Sequence, residues 1–206
     1  CRPLCLTRRP PIISTLLRAI NGYSPSKAPF PGSAVLFTCM LFGVFIPGQL
    51  ALLPWAYLLG QLGLQNSITG LALVHIIQGI SFTTLFCRNF YVSIPDDLIK
   101  AARIDGAGFW RIFYKIVLPI SPPILIVTVI WQFTGIWNEF LFGVVLTSGK
   151  EQPITAALVA LAAGEQNVRN YGVMSAGVLI GALPPLLIYF FGGKYFVRGL
   201  TQGAVK

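Results

Sequence analysis

Residues Arg88 to Pro119 read RNFYVSIPDDLIKAARIDGAGFWRIFYKIVLP, and their contrast with the flanking sequence decides the fold. This stretch holds five of the fifteen basic residues and three of the six acidic ones. No fixed charge occurs between Lys27 and Arg88, or between Lys115 and Glu139. Apolar spans therefore lead into and out of a polar connector.

The connector predicts two short helices joined by a sharp turn. Ser93 is in position to cap the first, with Pro95 in the opening turn and Asp96 where a carboxylate meets the helix dipole favourably. Ala101 and Ala102 offer little side-chain bulk, which suits close approach by another surface. Asp105-Gly106 ends the helix, because glycine tolerates the left-handed conformation of a helix stop. From Ala107 the pattern resumes, with Trp110, Phe113 and Val117 at helical spacing, Arg111 and Lys115 on another face, and Pro119 as the stop. A solvated loop with two fortuitous amphipathic turns is the competing reading. Against it, a passive hairpin needs only a few residues, whereas this connector carries a cap, a break, a second amphipathic face and a stop.

Lys100-Ala101-Ala102, Gly106 and, after nine residues, Ile116 with Leu118-Pro119 resemble the EAA loop of binding-protein-dependent ABC transporter permeases. The run Ala101 to Ala107 is similar to the carbohydrate-uptake version. Lys100 stands where that family usually has Glu. The resemblance implies an all-α, polytopic transmembrane helical bundle of the ABC importer permease fold, coupled to a separate ATPase through Lys100, Ala101, Ala102, Asp105, Gly106, Ala107, Ile116, Leu118 and Pro119. It also implies a second permease subunit, two cytoplasmic ATPase subunits and an external sugar-binding protein. Its destination is the cell inner membrane, and its role is half of a translocation pore rather than an enzyme. No Walker-type GxxxxGK[ST] occurs, so no cofactor is expected here and ATP would be bound by the partners.

Composition points to a membrane independently. The chain is 55% hydrophobic and 10% charged, far below the roughly 25% charge of soluble domains, and its mean hydropathy is +0.74. The net charge of +9 raises nucleic acid as a partner. The basic residues flank apolar spans, however, so no nucleic acid is expected and membrane lipid is. Four spans follow: Val35 to Leu59, Ser67 to Cys87, Pro122 to Val145 and Tyr171 to Phe191, each near the ~20 residues a helix needs to cross. Pro47-Gly48 either kinks the first or marks its outer end, and the resemblance favours the latter. Pro122-Pro123 suits a first helical turn, Pro184-Pro185 predicts a kink, and Pro153 to Ala163 reads as a short helix lying at the surface or partly re-entering the bundle. Gly70, Gly79 and Ser81 suggest close packing in the second span.

The start is atypical. Residues 1–32 carry six prolines and no apolar core suited to a signal peptide, and they read as a truncated or altered segment ahead of a permease domain at 33–206 with its coupling loop at 88–119. Family permeases carry two further helices there, and Asn21 to Gly32 is weakly similar to the end of the second. His75 reads as a neutral histidine satisfied by Gln78 or a neighbouring helix rather than a proton relay. Trp137, Asn138 and Glu139, with Phe140, resemble a feature of sugar-uptake permeases and read as interface anchors or as pore contacts. Cys1, Cys5, Cys39 and Cys87 form no metal-ligand series. A permease for another small solute and a non-transporting membrane scaffold remain the alternatives.

Thirteen of the fifteen basic residues fall on the side of the connector and both termini, and only Lys150 and Arg169 on the other. The positive-inside rule places the connector and C-terminus in the cytoplasm. A membrane-impermeant thiol reagent added to intact cells should therefore label a cysteine introduced at Gly149 and miss ones at Gly106 and Gly203. Equal labelling at all three would overturn the four-span orientation.

Overall fold

The computed structural model describes residues 19–163 and 171–201. Cys1, Cys5 and most of the proline-bearing start, Arg169, and the tail from Gln202 to Lys206 with Gly203 lie outside the described residues. The chain is all-α. Residues 19–27 form helix α1, followed by α2 (Ser33–Phe45), a 3-10 turn (Gly48–Ala51), α3 (Leu52–Gln61) and α4 (Ile68–Val92). The connector supplies α5 (Asp96–Ile104), α6 (Phe109–Ile112), a π turn (Phe113–Val117) and α7 (Leu118–Ile120). Beyond it come α8 (Pro122–Asn138), α9 (Leu141–Leu146), α10 (Ile154–Ala163) and α11 (Tyr171–Thr201).

Helix α4 is the axis of the bundle, with α2 on one side and α8 on another. Its start is fixed by Ser67, whose Oγ accepts from the Gly70 amide at 3.0 Å, while Glu151 Oε2 accepts from Ile68 N at 2.8 Å. Its 25 residues run about 37 Å, more than the ~30 Å hydrocarbon core. The helix therefore passes beyond the expected end at Cys87 and carries Arg88 inside it. That guanidinium lies 4.3 Å from the centroid of the Phe37 ring, a cation–π contact between α4 and α2.

Two expected spans are broken. The turn at Pro47-Gly48 ends α2, and the following helical segment through α3 leaves it at 98°, so the pair marks a helix end rather than a kink. Proline offers no N–H to the preceding turn and crowds the carbonyl four residues back. Helix α8 opens with Pro122 and Pro123 in its first turn but stops at Asn138, seven residues before Val145. Glu139 adopts an extended backbone and turns its carboxylate onto α9, accepting from Phe142 N at 2.9 Å and Gly143 N at 3.0 Å. Helix α10 is the short helix expected over Pro153 to Ala163, and it packs against α8, α9 and α11. Helix α11 continues through Pro184-Pro185 and past Phe191, lying along α8. Among the described residues, α4 and Tyr171–Gly193 are long and apolar enough to cross a membrane, or up to four spans if each bent pair counts as one.

The bundle has two apolar cores. At the connector end Tyr23, Cys87, Tyr91, Ile99, Ile112, Phe113, Val117 and Val127 are buried together. At the far end Leu59, Leu71, Val74, Ile136, Phe142 and Leu146 form the second. Between them along α4 and α8 the buried residues turn polar: His75, Thr83, Thr84, Thr128 and Gln132.

Helix α1 is held to α4 at Gly22, where backbone meets backbone. A Cβ at Gly22 would lie 2.7 Å from Cys87 Cβ and 2.9 Å from Arg88 N, neither of which can step aside. Gly22→Ala should therefore push α1 off α4 and destabilise the chain by roughly 1–3 kcal/mol, as overpacking of a tight interface does. Gly193→Ala, which meets nothing within 4 Å, should be neutral or slightly stabilising in thermal unfolding of the purified chain.

Candidate functional site

Helix α5 begins without the predicted serine cap. Ser93 ends α4 instead, its hydroxyl donating to the Phe90 carbonyl at 2.7 Å. The Asp96 and Asp97 carboxylates occupy the first turn of α5, where they complement its dipole. At the other end Gly106 adopts φ +76°, the Gly106 amide donates to Arg103 O at 3.0 Å and the Ala107 amide to Ala102 O at 2.9 Å. This paired closure is the glycine stop read from Asp105-Gly106.

The two alanines part company. Ile99 and Ala102, one turn apart, are buried against the connector-end core, whereas Lys100 and Ala101 are exposed. Ala102 is thus a packing residue and Ala101 a surface one, which corrects the expectation that both lie open. Ile104 is 86% exposed and Leu98 also faces out, so α5 carries an aliphatic ridge beside Lys100 and Asp105. Gly106 is exposed and Ala107 half-buried against the core.

The second connector helix buries Ile112, Phe113 and Val117, with Phe109 and Ile116 packed beside them. Trp110 is 55% exposed and stacks on Tyr114 at 6.0 Å, so the inward face is rotated one position from the predicted one. Arg111 and Lys115 are exposed as expected. The π turn at Phe113–Val117 immediately precedes Leu118-Pro119. Pro119 has no N–H for the Lys115 carbonyl and its ring crowds that oxygen, which favours a wider turn there. Leu118 is half-buried and Pro119 exposed, and the helix runs on to Ile120 rather than stopping at the proline. Ser121 then donates to Val117 O and sits 3.1 Å from the Tyr91 hydroxyl, at a 74° bend into α8.

Sequence reading missed the residue that holds this assembly together. Lys27, 8% exposed at the end of α1, donates from Nζ to Ile94 O at 2.6 Å, to Val92 O at 3.4 Å and to Asp96 Oδ1 at 2.6 Å. Its own carbonyl accepts from Arg103 Nη2 at 2.8 Å. One residue thus engages both ends of α5, the last carbonyl of α4 and the carbonyl of Ile94 in the linker between them. Beside it the Tyr23 ring packs 4.9 Å from Phe109 and 5.4 Å from Phe113. Burial pushes the Tyr23 phenol above its ordinary value, opposed by the Arg103 charge. The hydrogen bond from Lys27, then its charge, holds the Asp96 carboxyl below the ordinary carboxylate range. The only sequence signal for this was a single lysine closing a short helix ahead of 60 uncharged residues.

The Trp137, Asn138, Glu139 group splits three ways. Trp137 is buried and donates from Nε1 to Gly181 O at 2.8 Å, a strut between α8 and α11. Asn138 is exposed, and Glu139 caps α9 while lining a 220 Å³ cavity with His75, Gln132 and Gly135.

Residues 15–202 match the family described as binding-protein-dependent transport system inner membrane component. A probable ABC transporter permease protein of Pyrococcus horikoshii is 48% identical over 175 residues, covering 84% of this chain and 63% of the relative. The permease protein of a diacetylchitobiose uptake system from Streptomyces coelicolor is 32% identical over 196 residues, covering 95% and 65%. The chain therefore spans just under two thirds of the length of these relatives. A solved bacterial ABC transporter involved in import of the acidic polysaccharide alginate shares the fold, with a TM-score of 0.81 at 22% identity over 95% of this chain and 73% of that one.

The Lys27 clamp has a pH signature. Because the Asp96 pKa is depressed in the folded chain, the ion pair's contribution is complete above the unfolded carboxylate pKa of about 3.9 and is lost as pH falls through the lower folded value. Hydrogen exchange at residues 93–97, corrected for intrinsic rates, should be flat from pH 7 to 5 and should accelerate below about pH 4. Lys27→Met should abolish that acid step. It should also lower protection there by about tenfold or more at neutral pH, since it leaves buried carbonyls without their donor.

Proposed function

Because the chain belongs to the family of binding-protein-dependent transport system inner membrane components, we propose that it is the permease subunit of an ATP-driven importer and forms half of a translocation pore for a carbohydrate. Its partners in this reading are a second permease subunit, two cytoplasmic ATPase subunits that bind the ATP, an external sugar-binding protein and the surrounding lipid. The connector and C-terminus face the cytoplasm, a placement the charge asymmetry supports. Carbohydrate is favoured by the similarity to a diacetylchitobiose permease.

The observation that carries the reading is the outward ridge of α5. Lys100, Ala101, Ile104, Asp105 and Gly106 stand exposed, while Ile99 and Ala102 beneath them are packed into the connector-end core. A protein closing on that ridge pushes on side chains continuous with Ile112, Phe113 and Val117, and through Leu118, Pro119 and the bend at Ser121 on α8. Ala107 and Ile116 support the same path from inside. Close-packed interiors transmit such displacements because they have little room to absorb them.

Crosslinking tests this directly. In a chain whose native cysteines are replaced, cysteines at Ile104 and Ala101 should crosslink to an ATPase subunit in the assembled transporter, and one at Ala102 should not. Ile104→Glu should weaken docking by about tenfold or more, the scale for truncating an anchor at an interface centre. Crosslinks unchanged when residues 96–106 are replaced would sink the assignment.

A further inference from the structure

We infer that the polar layer midway between the two cores is a binding subsite for a neutral saccharide in transit, with His75 and Gln78 as its hydrogen-bonding groups and Trp131 as its platform. This rests on the permease reading above and adds to it the site and the chemistry of the solute.

Two cavities meet in this layer. A 540 Å³ cavity is lined by Gln78, Ser81, Phe82, Trp55 and Trp131 among others, and a 220 Å³ cavity by His75, Gln78, Trp131, Gln132 and Glu139. They share Gln78 and Trp131, and the larger has the size of a small-molecule site, roughly 300–1,000 Å³. His75 is 6% exposed, yet its Nε2 has no hydrogen-bond partner among the described residues, and neither has Gln78 Nε2. A buried polar atom without a partner costs about 1–3 kcal/mol. Two of them lining connected cavities are explained if a solute supplies the missing bonds. Inside an apolar bundle such groups are kept for a function.

The lining specifies the solute. Gln132 Nε2 donates to the His75 carbonyl at 3.1 Å, which steadies the α4–α8 contact beside the site. Both Glu139 oxygens accept from backbone amides of α9, and this carboxylate beside the smaller cavity disfavours an anionic solute. Among the described residues no lysine or arginine lines either cavity, so nothing there compensates an acidic sugar. Trp131, 41% exposed, is stacked on Phe82 with ring centroids 3.7 Å apart and planes 15° from parallel. A rigid aromatic face beside amide and imidazole nitrogens matches a pyranose, which has an apolar C–H face and a rim of hydroxyls that both donate and accept.

The test uses the complete transporter in proteoliposomes, with diacetylchitobiose, maltose and xylose as neutral probes and a uronic-acid disaccharide as the acidic one. At saturating binding protein, Gln78→Leu and His75→Phe should each lower the maximal uptake rate of the transported sugar by about fivefold to tenfold and shift the preference among neutral sugars. Thr134→Val is the control, because its hydroxyl bonds only to Ile130 O in its own helix. In parallel, alkylation of a cysteine at Ser81 in the otherwise unaltered cavity should be slowed by the transported sugar. Variants that match the wild type in rate and preference would overturn the subsite while leaving the permease reading intact, as would unslowed alkylation or preference for the acidic disaccharide. ATP-dependent uptake of none of the four probes would overturn the carbohydrate-permease reading and the subsite with it.

Discussion

The Lys27 ammonium is the interaction on which the connector's geometry depends. An ammonium removed from water is tolerated only where its donors are met, and here two main-chain carbonyls and a carboxylate meet them. The arrangement solves a second problem, since the last carbonyls of α4 have no partner within the helix. Lys27 caps Val92, the last residue of α4, and also meets the Ile94 carbonyl in the linker beyond it, while its own carbonyl receives Arg103. The close approach at Gly22 and the Tyr23 contacts bring the lysine to that position. The result is a three-way junction of α1, α4 and α5, a clasp that the expected pair of short helices joined by a turn does not include. It also makes the end of the atypical first segment part of the connector, a point that residues 15–32 falling inside the family match agrees with.

Rigidity at that junction matters because the bundle is soft elsewhere in a specific way. The connector-end core and the far core are apolar and close-packed, but the layer between them is polar and holds cavities. In the proposed coupling, a displacement of α5 would enter through the first core, cross the π turn and Pro119, and reach α8 at a 74° bend. Helix α8 carries Val127 in the first core, Gln132 in the polar layer and Ile136 in the second core. A push on the connector would therefore arrive at the polar layer along one continuous helix, while Trp137 braces the far end of that helix on α11.

What was legible in the sequence was what local chemistry determines. The uncharged flanks announced the spans, Gly106 announced the helix stop, Pro122-Pro123 the helix start and Pro47-Gly48 a helix end. What was not legible depended on a partner distant in sequence. Ser93 is an equally good residue for closing α4 or opening α5, and Pro95 with the Lys27 clamp decides between them. Trp110 and Ala102 were misplaced because helical periodicity defines a face but not its rotation, and that rotation is set by Tyr23 and Ile99. Glu139 ends α8 early by capping α9, a choice no pattern within an apolar run signals. The sequence suggests that Gln78 or a neighbouring helix satisfies His75, yet neither His75 Nε2 nor Gln78 Nε2 has a hydrogen-bond partner among the described residues.

Lys100 gains a physical account from the same geometry. The resemblance places it where related loops carry Glu, which would reverse the sign of an ionic contact with a partner. In this chain its ammonium lies 3.4 Å from Asp97 Oδ1, with the two side chains 70% and 95% exposed. Such a pair is worth about 0–1 kcal/mol and holds the lysine only loosely. Asp96 is engaged by Lys27 and Asp97 faces Lys100, so the first turn of α5 presents little unbalanced charge. In the proposed coupling, docking on this ridge would rest on shape, on Ile104 projecting and Ala101 allowing close approach, with the charge at position 100 tuning affinity and its salt dependence rather than deciding whether contact occurs. Lys in place of Glu at exposed position 100 therefore alters the electrostatics of the ridge while leaving the buried contacts of Ile99 and Ala102 beneath it untouched.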